Sequence, residues 1–289
     1  MLATGPARAL GGVVFTRVRM LIVFILLGAW ATVSGGWLSI GADAALLLLL
    51  SGLTGILLGD TALFSTLRRL GPRRTGMLFA CNAPITALLA WLLLGETLGA
   101  GELLGGALVV AGVVLSIAHR HRAAADATAT DAVARRVDHW ERVDGALAIG
   151  VGLGLLAALG QSVGTLIAKP VMAAGVDPVA ASALRIGTAA FGLQALRLLP
   201  FPPWRERARL NRRLLALITV SGVIGMGLGM TLLLFALRHG DTGTVAVLSA
   251  TSPVLILPLL WLHSGQRPAF GAWLGAVLAV AGTGLILVS

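Results

Sequence analysis

Apolar residues run in long blocks along this chain, with short polar breaks between them. A helix that crosses a bilayer needs about 20 predominantly apolar residues. Nine stretches meet this requirement: 20–39, 44–67, 75–94, 99–118, 146–168, 178–199, 214–237, 243–262 and 269–288. The pattern therefore predicts an all-α polytopic membrane protein with nine transmembrane helices. Short connections near residues 95–96 and 238–242 predict that the helices beside them form antiparallel hairpins.

The second half of the chain repeats the first half at a distance of 170 residues. The matched pairs include Trp91 and Trp261, Gly105 and Gly275, Gly112 and Gly282, Gly52 and Gly222, and Thr61 and Thr231. This period is far longer than the roughly 20–50 residues of solenoids and propellers. It indicates a duplicated half-protein, which is typical of transporters built from internal repeats.

The repeat also sets the predicted domain organisation. Residues 1–118 form a first repeat with four helices, 119–144 a polar linker, and 145–289 a second repeat with five helices. When Arg17 or Arg19 is aligned with Arg185, the first repeat lacks the counterpart of helix 146–168. A five-helix repeat has an odd number of crossings, so two copies would insert as inverted repeats. Whether a tenth helix is encoded upstream of Met1 is left open by the sequence.

Composition supports a membrane protein, and the charge distribution predicts its orientation. Apolar residues make up 57% and charged residues 12% of the chain, against about 25% charged residues in soluble domains. The net charge is +10, but 19 of the 22 basic residues lie in alternate loops or the N-terminal segment. The positive-inside rule places these arginine-rich segments in the cytoplasm. We therefore expect a multi-pass protein of the inner or plasma membrane, and nucleic-acid binding is not needed to explain the charge.

The residue types required for common enzyme sites do not occur in useful patterns. Cys81 is the single cysteine, so the sequence offers neither an intramolecular disulfide nor a cysteine metal site. The five histidines fall in loops or at helix ends, without an HExxH motif. The sequence therefore predicts no metal, no cofactor and no enzymatic activity. A non-transporting scaffold or assembly subunit is the main alternative to a transporter, and a membrane-embedded enzyme is a weaker one.

Several motifs together resemble the EamA family of the drug/metabolite transporter superfamily. They are the helix containing Pro84, the Gly95-Glu96 turn, the glycine-rich helix that closes each half, the stretch 177–185 and the Ala-Leu-Arg sequence 236–238. The resemblance covers nearly the whole chain in both halves. It implies a ten-helix inverted-repeat permease that moves small metabolites or amino acids, often outward. Gln266 departs from the family pattern, because it replaces the acid of the second Gly-Glu turn.

Asp60 is the first candidate for a functional residue within the spans. It lies eight residues, or about 12 Å of helix, from Arg68. An intramembrane carboxylate costs at least a few kcal/mol unless it is paired or hydrated. Its repeat counterpart is Met230, so the helix itself does not require an acid. The hypotheses are a proton or cation site, a contact to a substrate amine, or a structural hydrogen bond.

Arg185 is the second candidate, about 10 Å into its helix from Asp177. Its guanidinium could receive a substrate carboxylate in a bidentate arrangement. Alternatively, it reaches toward the interface or bonds backbone carbonyls between helices.

The remaining candidates are polar residues inside the spans and residues that shape the helices. Proline-interrupted helices at matching positions in two halves point to a substrate site, although a simple kink explains them equally well. The predicted substrate or ion pathway comprises Asp60, Asn82, Gln161, Ser162, Arg185, Thr231 and Ser252. Structural roles are predicted for Pro84, Glu96, Pro253, Gly105 and Gly275. Gln161 and Ser162 could instead join neighbouring helices by hydrogen bonds.

These observations predict a permease that works by alternating access between its two halves. Its central cavity would be lined by helices 44–67, 75–94, 146–168, 178–199, 214–237 and 243–262. The expected partners are the lipid bilayer and a small-molecule solute, with proton coupling as an open alternative. A homodimer is compatible with the sequence, which sets neither the solute nor the direction of transport.

Overall fold

The computed structural model describes residues 6, 10, 12–94, 99–126, 146–196, 211–239, 242, 245 and 270–288, and these residues form helices and short turns without a strand. The α-helices are α1 Gly12–Val33, α2 Ala42–Ser51, α3 Gly59–Ala80, α4 Asn82–Leu94, α5 Ala100–Asp126, α6 Leu147–Ala173, α7 Pro178–Leu196, α8 Arg212–Gly222, α9 Gly229–His239 and α10 Phe270–Val288. A 3-10 turn covers Gly36–Ser39, and π-helical segments cover Gly52–Leu58 and Val223–Leu228. The all-helical prediction is confirmed for this part of the chain.

Six helical stretches are long and apolar enough to cross a membrane. They are Val14–Val33, Ala42–Gly71, Arg74–Leu93, Leu147–Ala173, Pro178–Leu196 and Arg212–His239. Helices α5 and α10 carry shorter apolar segments, Leu103–Gly112 and Trp273–Leu285. The polytopic architecture is confirmed, whereas the count of nine helices remains a prediction. The predicted helix 243–262 lies outside the described residues except for Val245.

The first predicted helix, residues 20–39, has the wrong boundaries. Helix α1 begins at Gly12 and ends at Val33. It ends early because Gly35 adopts a left-handed conformation with φ of 72°, which is a common way to terminate a helix. The predicted start at residue 20 is too late because Arg17 and Arg19 lower the hydropathy of the preceding segment. The structure includes both residues in the helix and buries their side chains within the protein.

The polar stretch 68–74, predicted as a loop between two spans, contains a break between two helical segments of α3, because one span ends at Gly71 and the next begins at Arg74. It lies within α3, where Gly71 interrupts the helical backbone with φ of 80° and ψ of 169°. The hydroxyl of Thr75 donates a hydrogen bond of 2.7 Å to the Gly71 carbonyl. A positive φ costs glycine little, so Gly71 can end one helical segment and let the next segment begin in a new direction.

The helices assemble into two compact units. Unit 1 contains residues Met1–Phe64 and Val163–Asp241, and unit 2 contains Ser65–Ser162 and Thr242–Ser289. Each unit therefore combines residues from both sequence repeats. The two compact units therefore do not coincide with the two sequence repeats.

In unit 2, helices α5 and α10 pack closely through glycines that are related by the 170-residue repeat. A Cβ added at Gly112 would lie 3.0 Å from the Ala279 nitrogen, and one added at Gly282 would lie 2.8 Å from the Val109 nitrogen. Gly112 also meets the Gly275 carbonyl, while Gly282 meets the Gly105 carbonyl. The contacts run in opposite directions along the two helices, so the helices are antiparallel and their contacts are reciprocal. Gly105 and Gly275 contribute their backbone carbonyls to these contacts.

Substitution of Gly282 by leucine is expected to destabilise the protein by roughly 1–3 kcal/mol, the range for overpacking a well-packed core. Small residues let transmembrane helices approach closely, and a larger side chain at this position would push α10 away from α5. Gly284 provides a matched control in the same helix, because a Cβ there would meet no described atom within 4 Å. Thermal unfolding in detergent should show a lower midpoint for Gly282→Leu than for Gly284→Leu. Equal midpoints would contradict this packing.

In unit 1, the serine-glycine pair Ser51 and Gly55 and its repeat counterpart make different contacts. The Ser51 hydroxyl donates to the carbonyl of Gly164 in α6, and a Cβ at Gly164 would lie 2.7 Å from the Gly55 Cα. The repeat counterparts are Ser221 and Gly225. Ser221 instead donates to Ile218 within its own helix, and a Cβ at Gly225 would meet no described atom within 4 Å. Only the first copy of this serine-glycine pair therefore holds a neighbouring helix among the described residues.

Candidate functional site

Asp60 lies in unit 1 at the start of α3, directly after the π-helical segment Gly52–Leu58. The side chain is partly buried. Its carboxylate interacts electrostatically with Arg19 of α1 and with Arg185 of α7. The structure thus brings together three ionisable residues from three separate helices. We call Arg19, Asp60 and Arg185 the charged cluster.

Arg185 is fully buried at 0% exposure, and its hydrogen bonding within the protein is incomplete. Its Nη1 atom donates to the sulfur of Met230 at 3.5 Å. The Nε and Nη2 atoms have no hydrogen-bond partner among the described residues. A thioether is only a weak acceptor, so most of the donor capacity of this guanidinium is unused. Met230 is the repeat counterpart of Asp60, and Arg185 therefore interacts with both members of that pair.

Arg19 is also buried, and aromatic rings from two helices surround its guanidinium. The Arg19 Cζ atom lies 5.3 Å from the ring centroid of Phe15 and 4.7 Å from that of Phe64. These distances are within the range of cation–π interactions. The two rings meet edge to face, with centroids 6.2 Å apart. The Arg19 Nε atom has no hydrogen-bond partner in the described part of the chain.

Each of the two arginines lies next to a glycine of the repeated pair Gly52 and Gly222. A Cβ at Gly52 would lie 3.0 Å from the Arg185 Cα, and a Cβ at Gly222 would lie 2.9 Å from the Arg19 Cγ. Gly52 and Gly222 are repeat counterparts, so each repeat packs an arginine-bearing helix against the same glycine, although Arg185 meets it through its backbone and Arg19 through its side chain.

Sequence reasoning missed Arg19 as a site residue. It assigned Arg17 and Arg19 to a cytoplasmic N-terminal segment, but α1 includes both, and they are 4% and 8% exposed. The error arose because a hydropathy window treats arginine as incompatible with a span, while a neighbouring carboxylate and aromatic rings can accommodate it. The alignment of this region with Arg185 was the signal that could have identified the residue.

The π-helical segments Gly52–Leu58 and Val223–Leu228 occupy matching positions in the two repeats. Each segment is followed by one glycine and then by a residue that interacts with Arg185. That residue is Asp60 in the first repeat and Met230 in the second. π-helical turns are rare and occur frequently at functional sites. Their wider hydrogen-bond pattern shifts the following side chains around the helix axis. The local backbone is therefore specialised at the charged cluster in both repeats.

The cluster carries two guanidinium groups and one carboxylate. Among the acids described in unit 1, Asp60 alone interacts electrostatically with Arg19 or Arg185. Burying a charge without full compensation is costly, and intramembrane ionisable residues usually serve ion or substrate pathways. The arrangement can exchange ion-pair partners, hold a proton on the carboxylate, or bind an additional anion.

The other described polar candidates lie in unit 2. The Ser162 hydroxyl donates to the Asn82 carbonyl at 3.0 Å and to the Ala158 carbonyl at 2.9 Å. Asn82 begins α4, and Pro84 falls in the first turn of that helix, where the missing amide hydrogen is tolerated. Gln161 is buried. The observed bond between Ser162 and Asn82 joins two helices, which is the structural alternative considered for Ser162.

Thr231 lies beside Met230 in unit 1, and its hydroxyl oxygen is buried without a hydrogen-bond partner among the described residues. The structure thus places Asp60, Arg185 and Thr231 in one unit, and Asn82, Gln161 and Ser162 in the other. Ser252, Pro253 and Glu96 lie outside the described residues. Their predicted roles remain predictions.

A surface groove in unit 2 has a volume of about 670 Å³ but differs chemically from the charged cluster. It is lined by Pro84, Gly106, Ala107, Val110, Ala111, Val114 and Leu115. This apolar lining has no side-chain hydrogen-bonding group with which to recognise a polar solute. Within the described ranges, no group of three or more His, Cys, Asp and Glu residues could hold a metal ion. The charged cluster is therefore the candidate functional site.

Comparisons with known proteins agree with this fold. The model of the EamA-like transporter family matches residues 5–118 and 148–288. A protein of known crystal structure superposes with a TM-score of 0.67 at 19% sequence identity, over 98% of this chain and 90% of the other. At this identity the likeness concerns the fold alone. A comparison with curated proteins found no match.

Proposed function

Because the chain belongs to the EamA-like transporter family, we propose that it is a secondary transporter of small metabolites or amino acids. It works by alternating access and exports its solute across the cell membrane. The observation that carries this proposal is the charged cluster, which places two arginines and one electrostatically interacting carboxylate inside helices long and apolar enough to span a membrane. Placing charged side chains within the bilayer costs free energy, and such residues commonly line substrate or ion pathways.

The reciprocal glycine contacts support two inverted repeats. In unit 2, Gly105 meets Gly282 while Gly112 meets Gly275, and the helices that carry them are antiparallel. Inverted-topology repeats are related by an axis in the membrane plane, and alternating access follows when the two repeats exchange conformations. The arginine-rich segments face the cytoplasm in this proposal, as the positive-inside rule requires.

The charged cluster suggests how such an exchange could involve ions. Arg185 donates a hydrogen bond to Met230 and interacts electrostatically with Asp60, and these two residues are repeat counterparts. Arg19 and Arg185 both lie on helices that pack against the repeated glycines Gly52 and Gly222. An exchange of conformation between the repeats would interchange the surroundings of the two arginines, while the repeats supply only one carboxylate between them. Asp60 would then pair more strongly with one arginine in each state, and this change of partner couples solute movement to the conformational step.

Flux through the purified protein tests the proposal and separates it from the scaffold and enzyme alternatives. The protein is reconstituted into liposomes loaded with a panel of labelled amino acids and small organic acids. A transporter should release at least one solute faster than protein-free liposomes do, without converting it chemically. The absence of flux for the whole panel, or release of a chemically altered product, would contradict the proposal.

A further inference from the structure

We propose that the charged cluster forms a binding site for a carboxylate group of the transported solute. The inference rests on the proposed transport function and specifies its substrate class. Arg185 provides the bidentate contact, Arg19 provides a second positive charge, and Asp60 is the internal counter-ion.

The charge balance of unit 1 favours an anion over a cation. Two buried guanidiniums, Arg19 and Arg185, interact with the single carboxylate of Asp60. One further negative charge would neutralise the cluster. A solute amine directed at Asp60 would instead bring a third cation next to both guanidiniums, and like charges in such a site repel strongly. The arrangement therefore disfavours the substrate-amine hypothesis for Asp60.

The unused hydrogen-bonding groups point to the same class of ligand. Arg185 has Nε and Nη2 without partners among the described residues, and these two N–H groups form one edge of the planar guanidinium. That edge matches the two oxygens of a carboxylate. Buried donors normally have hydrogen-bond partners, so a carboxylate at this edge would supply the missing acceptors for both N–H groups.

Two buried hydroxyl groups on the helices that carry Arg185 and Met230 also lack hydrogen-bond partners among the described residues. Ser182 precedes Arg185 by three residues in α7, which places both on one face of the helix. The Ser182 Oγ is buried without a hydrogen-bond partner in the described chain, as is Thr231 Oγ1 beside Met230. Both hydroxyls can donate to an oxygen-rich ligand. The unpartnered donors on α7 therefore fit a carboxylate better than an uncharged apolar group.

The present conformation keeps this edge closed, because Arg185 is 0% exposed. Its one hydrogen bond goes to the Met230 sulfur at 3.5 Å. A thioether is a weak acceptor, so replacement of the sulfur by a charged oxygen is favourable once the helices separate. Met230 thus occupies one donor of Arg185 in the closed state, and solute binding belongs to an open state of the same unit.

Thermal unfolding of the detergent-purified full chain tests the site with defined probes. Sodium benzoate and sodium lactate are titrated beside benzamide and lactamide, which have similar shapes without the charge. At least one carboxylate should raise the unfolding midpoint in a saturable manner, and its amide should not. Arg185→Gln should weaken carboxylate binding by roughly ten- to a hundredfold, the effect of losing charge-assisted hydrogen bonds. Arg238→Gln, which removes an exposed arginine at the end of α9, should leave it unchanged.

The sign of the effect at Asp60 distinguishes binding from a purely structural role. Asp60→Asn removes the internal competitor for both arginines, so carboxylate binding should become a few-fold tighter. A structural role for the cluster predicts weaker binding in both variants. If Arg185→Gln does not fold, Arg19→Gln and Asp60→Asn still test the proposal, since they should change affinity in opposite directions.

Failure of this inference is distinguishable from failure of the transport proposal. Equal midpoint shifts for the carboxylates and their amides, or for wild type and Arg185→Gln, would overturn the carboxylate site even if liposome flux is observed. Flux restricted to cationic or uncharged solutes would also overturn it, while leaving the transporter intact. Saturable carboxylate binding without any flux would support the site and contradict the transport function.

Discussion

Asp60→Asn is expected to reduce solute flux by at least about a hundredfold while the protein still inserts into the membrane. The substitution keeps the size of the side chain but removes its charge. Breaking a buried ion pair by removing one partner typically costs about 3–5 kcal/mol, and each 1.4 kcal/mol corresponds to about a tenfold change in an equilibrium. Without the carboxylate, Arg19 and Arg185 lose the partner that they would exchange between transport states. Flux stops even though solute binding becomes tighter.

Initial rates of flux in proteoliposomes, normalised to the amount of inserted protein, provide the measurement. Asp43→Asn is the matched control, because Asp43 is an exposed acid in the first turn of α2. This control should retain wild-type flux. Wild-type flux in the Asp60→Asn variant would remove Asp60 from the mechanism.

The second large effect is expected in stability, from a double-mutant cycle between Asp60 and Arg185. Asp60→Asn alone leaves two buried guanidiniums without a carboxylate, which should destabilise the protein by about 3–5 kcal/mol. Adding Arg185→Gln removes one of these charges. The double variant should therefore be more stable than Asp60→Asn alone, with a coupling energy of roughly 1–3 kcal/mol, as for residues in one ionic network.

Unfolding in mixed micelles across wild type, both single variants and the double variant measures this coupling. The double variant should recover stability without recovering flux, which separates charge balance from transport. Strictly additive losses in the double variant would show that Asp60 and Arg185 are energetically independent. That result would contradict the charged cluster as a unit.

The sequence was sufficient to predict the fold class because apolar length and repetition are direct consequences of the bilayer. Helix α7, for example, begins at Pro178, the residue at which the apolar pattern predicts it to begin. The predicted helix boundaries are wrong where a helix packs against other parts of the protein and not against lipid. Arg17 and Arg19 interrupt the hydropathy of α1, and only the packing of α1 on its neighbours shows that a helix can contain them.

The candidate site was predictable only in part. Asp60 and Arg185 stand out because they are ionisable residues within apolar stretches. Met230 does not stand out, because its role as a hydrogen-bond acceptor depends on the position of Arg185. The π-helical segments at Gly52–Leu58 and Val223–Leu228 are equally hidden, since their apolar and small residues suit an α-helix as well. Contacts between distant segments determine both features.

The most direct test of the central claim is the water accessibility of position 230 within the membrane. The chain has one cysteine, Cys81, so Cys81→Ser provides a background free of other thiols. Met230→Cys should then react with a charged, membrane-impermeant methanethiosulfonate in proteoliposomes, because a solute pathway carries water to the charged cluster. Leu232→Cys is the control, since Leu232 is 63% exposed on an apolar helix surface that lipid would cover.

The account predicts that Met230→Cys reacts at least about tenfold faster than Leu232→Cys, because a thiolate forms in water and not in lipid. A transported solute should slow the reaction at position 230 by occupying the pathway. Equal and negligible labelling at both positions, in the presence and absence of solute, would contradict a transport pathway through Arg19, Asp60 and Arg185.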